Sequence, residues 1–271
     1  MRPPLTTKEA RAMVQALREL KHPAPQTLAG QVLADAGLID AYAEVPGPIG
    51  PLYVAWGPTG ISLVERAGDP MGFELEASTR TGRPIRRVEH LPARLGRQVE
   101  HQLAGERTEV PEVDLGGLTQ FEQAVLRKTL EIPWGEVRPY AWVAREIGRP
   151  RAVRAVGSAL AGNPIPFVIP CHRVVRTDGH IGEYGAGGPE AKRAVLAVEG
   201  VDADELERLA SRGIRYLGSD TTEIFCYPSC RHARRISDRH RMPFRSAEDA
   251  AAAGYRACKD CRPLTASPFA A

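Results

Sequence analysis

The chain has 271 residues, 43% hydrophobic and 25% charged, with a formal net charge of +3. This is ordinary globular composition and enough length for two or three small domains, while the charge is too small to establish a polyanionic partner. No run approaches the roughly 18 apolar residues of a membrane span, the first residues lack the apolar core of a signal peptide, and an odd count of five cysteines argues against a secreted disulfide framework, so the expectation is a cytoplasmic chain with reduced thiols and no membrane contact.

Residues 6–39 read as one or two helices: Ala10, Met13, Val14, Ala16, Leu17 and Leu20 make one apolar stripe, and Leu28, Val32, Leu33 and Leu38 suggest another. Pro46-Gly47-Pro48 then changes the texture. Leu52–Trp56, the turn Gly57-Pro58-Thr59-Gly60 and Ile61–Val64 read as a β-hairpin, and residues 91–103 as a helix. Thr119-Gln120-Phe121-Glu122 is a capping box that opens a helix carrying Phe121, Val125 and Leu126; Pro133-Trp134-Gly135 stops it. Pro139 opens the next helix at its first turn, with Tyr140, Val143, Ala144 and Ile147 at helical spacing, and Gly148 and Pro150 end that helix. A third helix follows with Ala152, Ala155, Val156, Ala159 and Leu160 on one face. Two helices joined by a short glycine-containing turn outline a helix-turn-helix, the second helix being the reader. Its other face carries Arg151, Arg154 and Ser158; Arg154 lies about 200° around the helix from Ala152.

Residues 170–175, Pro-Cys-His-Arg-Val-Val, set a cysteine directly before a histidine. A thiol is a poor nucleophile until ionised, and a neighbouring histidine is one way to make the thiolate. Read alone, Cys171 is either that nucleophile or a small buried hydrophobe. With Asn163-Pro164 before it and Glu199-Gly200 after it, the hexapeptide resembles the active-site signature of the O6-alkylguanine-DNA alkyltransferases, and the resemblance covers about residues 45–200.

That resemblance implies an α/β plus α architecture. After a helical extension over 1–40 come a small ribonuclease-H-like α/β domain over 41–113 and a helical, winged-helix-like catalytic domain with the helix-turn-helix over 114–203. It implies repair of alkylated double-stranded DNA by a monomer. An alkyl group passes irreversibly from O6-alkylguanine, and from O4-alkylthymine, to Cys171, after the base has been flipped out of the stack. By resemblance, His172 takes the thiol proton through a water, Glu199 orients that imidazole, Asn163 holds the active-site turn and the thiol, and Tyr140 donates toward guanine N3. Arg154 fills the gap left by the flipped nucleotide, with Arg151 and Ser158 on the same DNA-facing surface. Val174 and Tyr184 line the base slot, and the Gly185 amide lies near O6. No organic cofactor is implied. A lesion sensor with an inert Cys171 and a cysteine hydrolase are the competing classes, and Cys171, His172, Asn163, Tyr140 and Glu199 together favour the transferase.

The other four cysteines pair off as Cys226-x3-Cys230 and Cys258-x2-Cys261, a spacing that reads as a tetrahedral zinc site. From Arg212 to Arg262 the chain carries eleven Lys and Arg against six Asp and Glu, a basic surplus suited to a polyanion. A segment this short has little core, so metal binding supplies much of its folding energy. Residues 214–265 resemble the zinc domain of Ada-type repair proteins, in which the first cysteine is both a ligand and the acceptor of methyl from DNA phosphotriesters. Cys226 maps onto that acceptor, and Arg231, Arg234, Arg235, Arg239, Arg241 and Arg245 would hold phosphates. Tyr227 stands where the family has Arg, the module comes last rather than first, and its core reads as independent of the catalytic domain.

Overall fold

The computed structural model describes residues 32–33, 36, 38–106 and 110–264; most of the expected helical stretch over 6–39 lies outside them. The expected hairpin is β2 (Leu52–Gly57) and β3 (Gly60–Arg66), closed at Gly60, whose φ of 118° favours glycine. Two strands absent from the sequence reading complete the sheet. β1 (Asp40–Val45) runs antiparallel to β2, and β4 (Ile85–Arg87) lies parallel to β1, giving the order β3-β2-β1-β4. Pairing slips between Ala55 and Trp56, so Ser62 is an extra residue opposite them and Ile61 and Leu63 serve different cores. On one face Tyr42, Tyr53 and Leu63 pack against Phe73 and Ala77 of α1 (Pro70–Thr81). That helix is capped by Asp69, which accepts the Met71 amide at 3.0 Å. On the other face Leu52, Val54, Ile61 and Val64 join the main core. The expected helix over 91–103 is α2 (Ala93–Ala104).

The capping box forms as read. The Glu122 amide donates to Thr119 Oγ1 at 3.3 Å and the Thr119 amide to Glu122 Oε2 at 2.8 Å, opening α3 (Gln120–Leu130). The two helices of the helix-turn-helix are α4 (Tyr140–Glu146) and α5 (Val153–Ala161). Pro139 sits at the N-cap of α4 rather than inside its first turn, and Gly148 turns the chain out at φ 72°. Val125 and Leu126 of α3, Val143 and Ala144 of α4, and Val156 and Leu160 of α5 close one core. A short parallel ladder ties β5 (Arg138–Pro139) to β6 (Val174–Val175). α6 (Gly188–Val198) and α7 (Ala203–Ser211) follow.

α7 leads into the four-cysteine module. There β7 (Tyr216–Ser219), β8 (Ile224–Cys226), β9 (Arg241–Phe244) and β10 (Arg256–Ala257) form a sheet in the order β10-β8-β7-β9, with α8 (Ala247–Ala252) beside it. The expectation of an independent core is overturned here. Tyr216, Phe225 and Tyr227 belong to the same buried cluster as Trp142 and Val143 of α4. The buried Arg138 guanidinium lies 5.8 Å from the ring centre of Trp142 and 5.7 Å from that of Tyr227. Arg262 pairs with Glu146 at 2.8 Å, and Arg145 donates to the carbonyls of Arg262 and Pro263 at 2.6 and 2.9 Å. The position that carries Arg in the resembled module thus carries a tyrosine used for docking. Among the described residues no helix is long and apolar enough to cross a membrane.

Candidate active site and metal centre

Cys171 opens a short 3-10 turn, Cys171–Arg173, at the end of the segment Asn163–Pro170. Asn163 builds that segment. Its Oδ1 accepts the Ile165 amide at 3.0 Å, and its Nδ2 donates to Ile169 O and to Cys171 Sγ, both at 3.1 Å. Phe167 adopts φ 70° within it, a conformation that only a fully determined turn sustains. β3 and α2 brace the turn from outside: the Val64 amide donates to Pro164 O at 2.9 Å, and Gln102 donates to Val168 O at 3.0 Å. A cleft of about 470 Å³ reaches Cys171 between Leu63–Arg66 and Arg80 on one side and Leu160–Pro164 and Gly185–Gly187 on the other.

Behind the cysteine lies a buried ionic network. His172 Nε2 meets Glu199 Oε1 at 2.7 Å, and Arg173 grips the same carboxylate with Nε at 2.9 Å and Nη2 at 2.9 Å. The Gly135 amide adds a fourth donor at 3.3 Å, and the Arg173 guanidinium lies over the Trp134 ring. Burial alone would raise the Glu199 carboxyl, but the bonds from His172 and Arg173 hold it below the usual carboxylate range. Burial pushes His172 down, and Glu199 partly offsets that. The imidazole is therefore neutral at rest, and its Nδ1 is buried with no protein partner. Burial pushes the Cys171 thiol up; the Asn163 bond and the charge of Lys192 work against it. Tyr140, half-buried at the start of α4, is raised by burial and then by the charge of Cys171.

Sequence reasoning missed Arg173 and Lys192. Lys192 is 0% exposed and donates to the carbonyls of Val174, Ile181 and Glu183 at 2.6, 2.7 and 3.1 Å. It is pushed down to about 8 by burial. The available signal was a lysine on the apolar side of a helix, flanked by Ala191 and Val195.

The other expected site residues divide. Gly185 lines the cleft, and a Cβ there would come within 2.9 Å of Ala161 O. Val174 and Tyr184 do not line it. Val174 is 0% exposed, and Tyr184 is packed edge-on against Phe167 and His172, its hydroxyl without a partner. Arg154 is exposed on α5 and Arg151 in the turn before it, away from the Cys171 cleft, in a groove shared with Arg215 and Glu248 of the C-terminal module. Ser158 is exposed on the same helix, and its hydroxyl turns back to Arg154 O at 3.4 Å.

Cys226, Cys230, Cys258 and Cys261 are all buried, and their four sulfurs lie within 4.8 Å of one another. Tetrahedral ligation at Zn–S distances near 2.3 Å needs sulfurs about 3.8 Å apart, so the cluster fits one such ion. A second cleft, of about 520 Å³, opens on Cys226 and Cys258 and is lined by Arg235, Arg256 and Lys259. The expected phosphate-holding arginines are dispersed. Only Arg235 faces this cleft; Arg231 is paired with Asp260 and Arg241 with Asp238, and Arg234 lies against Gly135.

Both parts of the chain match known families. Residues 120–201 match the DNA-binding domain of 6-O-methylguanine DNA methyltransferase, and residues 209–263 match the metal-binding domain of Ada. A methylated-DNA–protein-cysteine methyltransferase of Mycobacterium bovis is 48% identical over 38% of this chain, and the match spans 61% of that relative's length. Its counterpart in Methanosarcina acetivorans is 34% identical over 59% of this chain and 97% of its own. The crystal structure of Mycobacterium tuberculosis OGT in complex with DNA is 35% identical, with a TM-score of 0.49 over 61% of this chain and 98% of that one. The fold and site define a protein with a buried cysteine at the end of a cleft and a four-cysteine module able to hold a metal ion. The chain belongs to the methylated-DNA–protein-cysteine methyltransferase family.

Proposed function

We propose that this chain repairs double-stranded DNA, as a monomer, by moving an alkyl group from the O6 of alkylguanine, and the O4 of alkylthymine, onto Cys171. The observation that carries the reading is a cleft ending on a thiol that Asn163 holds at 3.1 Å, backed by the His172–Glu199 contact of 2.7 Å. His172 removes the thiol proton through a water at its unpartnered Nδ1, and Glu199 stabilises the imidazolium that results. The thiolate forms a bond to the alkyl carbon as the C–O bond breaks, and that electron pair stays on the purine. Tyr140 donates toward guanine N3, and the Gly185 amide lies near O6, so the leaving purine is stabilised. Arg154, with Arg151 and Ser158, supports the duplex while the base is out. Tyr184 acts from behind, shaping the wall of the base slot through Phe167 and His172, and the buried Val174 supports the core beneath that slot. The thioether has no hydrolysis route, so each chain reacts once. No organic cofactor is needed, and the protein acts in the cytoplasm, at the nucleoid.

The domain division proposed is a ribonuclease-H-like unit over 41–113, a winged-helix-like catalytic unit over 114–203 and the metal module over 214–265, with 1–40 as an extension. The module's ion is zinc, held by Cys226, Cys230, Cys258 and Cys261; bound zinc keeps thiolates deprotonated and nucleophilic. A second acceptor site is favoured by the basic cleft on Cys226. The Cys226 sulfur takes methyl from a DNA phosphotriester, and the leaving electron pair restores the phosphodiester anion. Mixing the protein with O6-methylguanine duplex and mapping the labelled peptide tests the first reading; methylphosphotriester DNA tests the second, and label absent from Cys226 would reduce that module to structural work.

A further inference from the structure

The transfer chemistry leaves a buried polar cluster between the two modules without a role. It is centred on residues 133–138, which join α3 to β5. Glu136 and Arg138 are 4% and 2% exposed and pair with each other. Glu136 Oε1 also accepts the Arg231 amide at 3.0 Å. The Val137 amide donates to Ser229 Oγ at 2.8 Å, and that hydroxyl lies 3.3 Å from Val137 O. Gly135 is wedged at φ 70°: a Cβ there would lie 2.9 Å from Glu199 O and 3.2 Å from Arg234 Nη1. On its other side this segment touches the reactive site. The Gly135 amide donates to Glu199, Trp134 lies under Arg173, and β5 pairs with β6 directly after the Cys171 turn.

We infer that the metal module is a positioning element for the alkyl-transfer site: Ser229 and the Arg231 amide hold residues 133–138, and these hold the Glu199–Arg173–His172 network behind Cys171. The chain connectivity makes the link direct. Ser229 and Arg231 flank Cys230, so an ion that fixes Cys230 fixes both contacts to the strap. Burial raises the stakes, because an unpaired Glu136 or Arg138 in this interior would be expensive, and the strap rearranges if its partners are lost. Ser229 and Glu136 touch no reacting atom; they act through Gly135 and Glu199.

This inference rests on the alkyl-transfer reading of Cys171. The test uses the full chain, its zinc content measured, in three forms: intact, stripped with a chelator, and Ser229→Ala with its metal retained. O6-benzylguanine is the probe, and intact mass gives both the maximal alkylation rate and the half-saturating concentration. Hydrogen exchange is followed on the peptide spanning 133–139. The expected result is a roughly two- to tenfold lower maximal rate in the stripped and Ser229→Ala proteins, the scale of one neutral hydrogen bond. Half-saturation should hold, and exchange at Gly135 and Val137 should rise. Ser229→Thr, which keeps the hydroxyl, should restore rate and protection together. If the stripped chain unfolds, the Ser229→Ala protein decides. Unchanged rate and exchange in Ser229→Ala overturn the inference and leave the alkyl-transfer reading intact. An intact chain that takes neither the benzyl group nor methyl from O6-methylguanine duplex overturns both.

Discussion

Replacing Glu199 by Gln tests the network that powers the thiol. The carboxylate receives His172 Nε2 at 2.7 Å, Arg173 Nε and Nη2 at 2.9 Å each, and the Gly135 amide at 3.3 Å. Its side chain is 2% exposed and that of Arg173 5%. Glutamine keeps one acceptor oxygen but leaves the guanidinium buried without its counter-charge. Removing one partner of such a pair costs about 3–5 kcal/mol, which for a chain of this size lowers the melting temperature by roughly 6–20 °C. The chemistry should suffer separately. Loss of a charge-assisted bond to His172 weakens the base by about 1.5–3 kcal/mol, or roughly 10–160-fold in alkylation rate. The pH sign follows from the lowered Glu199 carboxyl. Its stabilisation is complete above the unfolded carboxylate value, about 4.3, and is lost as pH falls through the folded value. The variant should therefore lose less stability than the parent between pH 6 and 3. Thermal melts across that range, with intact-mass kinetics on O6-benzylguanine at pH 7, measure both effects. A variant that melts within about 2 °C of the parent and reacts at the same rate would refute the reasoning.

Arg154→Ala should slow repair of O6-methylguanine in duplex DNA far more than reaction with free O6-benzylguanine, because the free base needs no flipping; equal losses in the two assays would remove Arg154 from the DNA step. Asn163→Ala should cut the free-base rate by about tenfold or more, since it loses the thiol contact together with the turn's bonds to Ile165 and Ile169. Lys192, pushed down to about 8, supports the thiolate only while charged, so Lys192→Met should slow alkylation strongly at pH 7 and less at pH 9; a parent-to-variant ratio independent of pH would contradict that role. Deleting residues 214–271 should yield a poorly soluble, destabilised protein, because it uncovers Trp142, takes the Arg231 amide from Glu136 and takes the carbonyls of Arg262 and Pro263 from Arg145; a truncated chain with the parent's melting temperature would contradict the shared core.

Much of the site was legible because its signals are local. The capping box, the apolar periodicity of α4 and α5, and the Pro-Cys-His-Arg run each lie within a few residues, and the structure brings Asn163, His172 and Glu199 to Cys171. The cysteine spacing likewise announced the metal cluster. What the sequence concealed depends on distant partners. β4 is a three-residue strand defined by pairing with β1 across 45 residues of chain, so no local period reveals it. α1 carries only two buried residues, Phe73 and Ala77, too few for an apolar stripe. Arg173 and Lys192 were concealed too: beyond the apolar helix side around Lys192, nothing local says that Glu199, or three backbone carbonyls, will receive them in the interior. Tyr227 stood out as a departure from the resembled pattern, but its reason lies in Arg138, far upstream, and the docking of the two modules follows from such pairs.

The central claim is that Cys171 is a single-use alkyl acceptor. The most direct measurement is intact mass followed by peptide mapping, after the full-length protein is mixed with an excess of duplex carrying O6-methylguanine. The expected result is one methyl group per chain from that lesion, located on Cys171, with restored guanine in the DNA and no further repair as the excess is increased; Cys171→Ala should take none. Repair of more lesions than there are protein molecules, or methyl from that duplex carried on another residue while Cys171 stays unmodified, would contradict it.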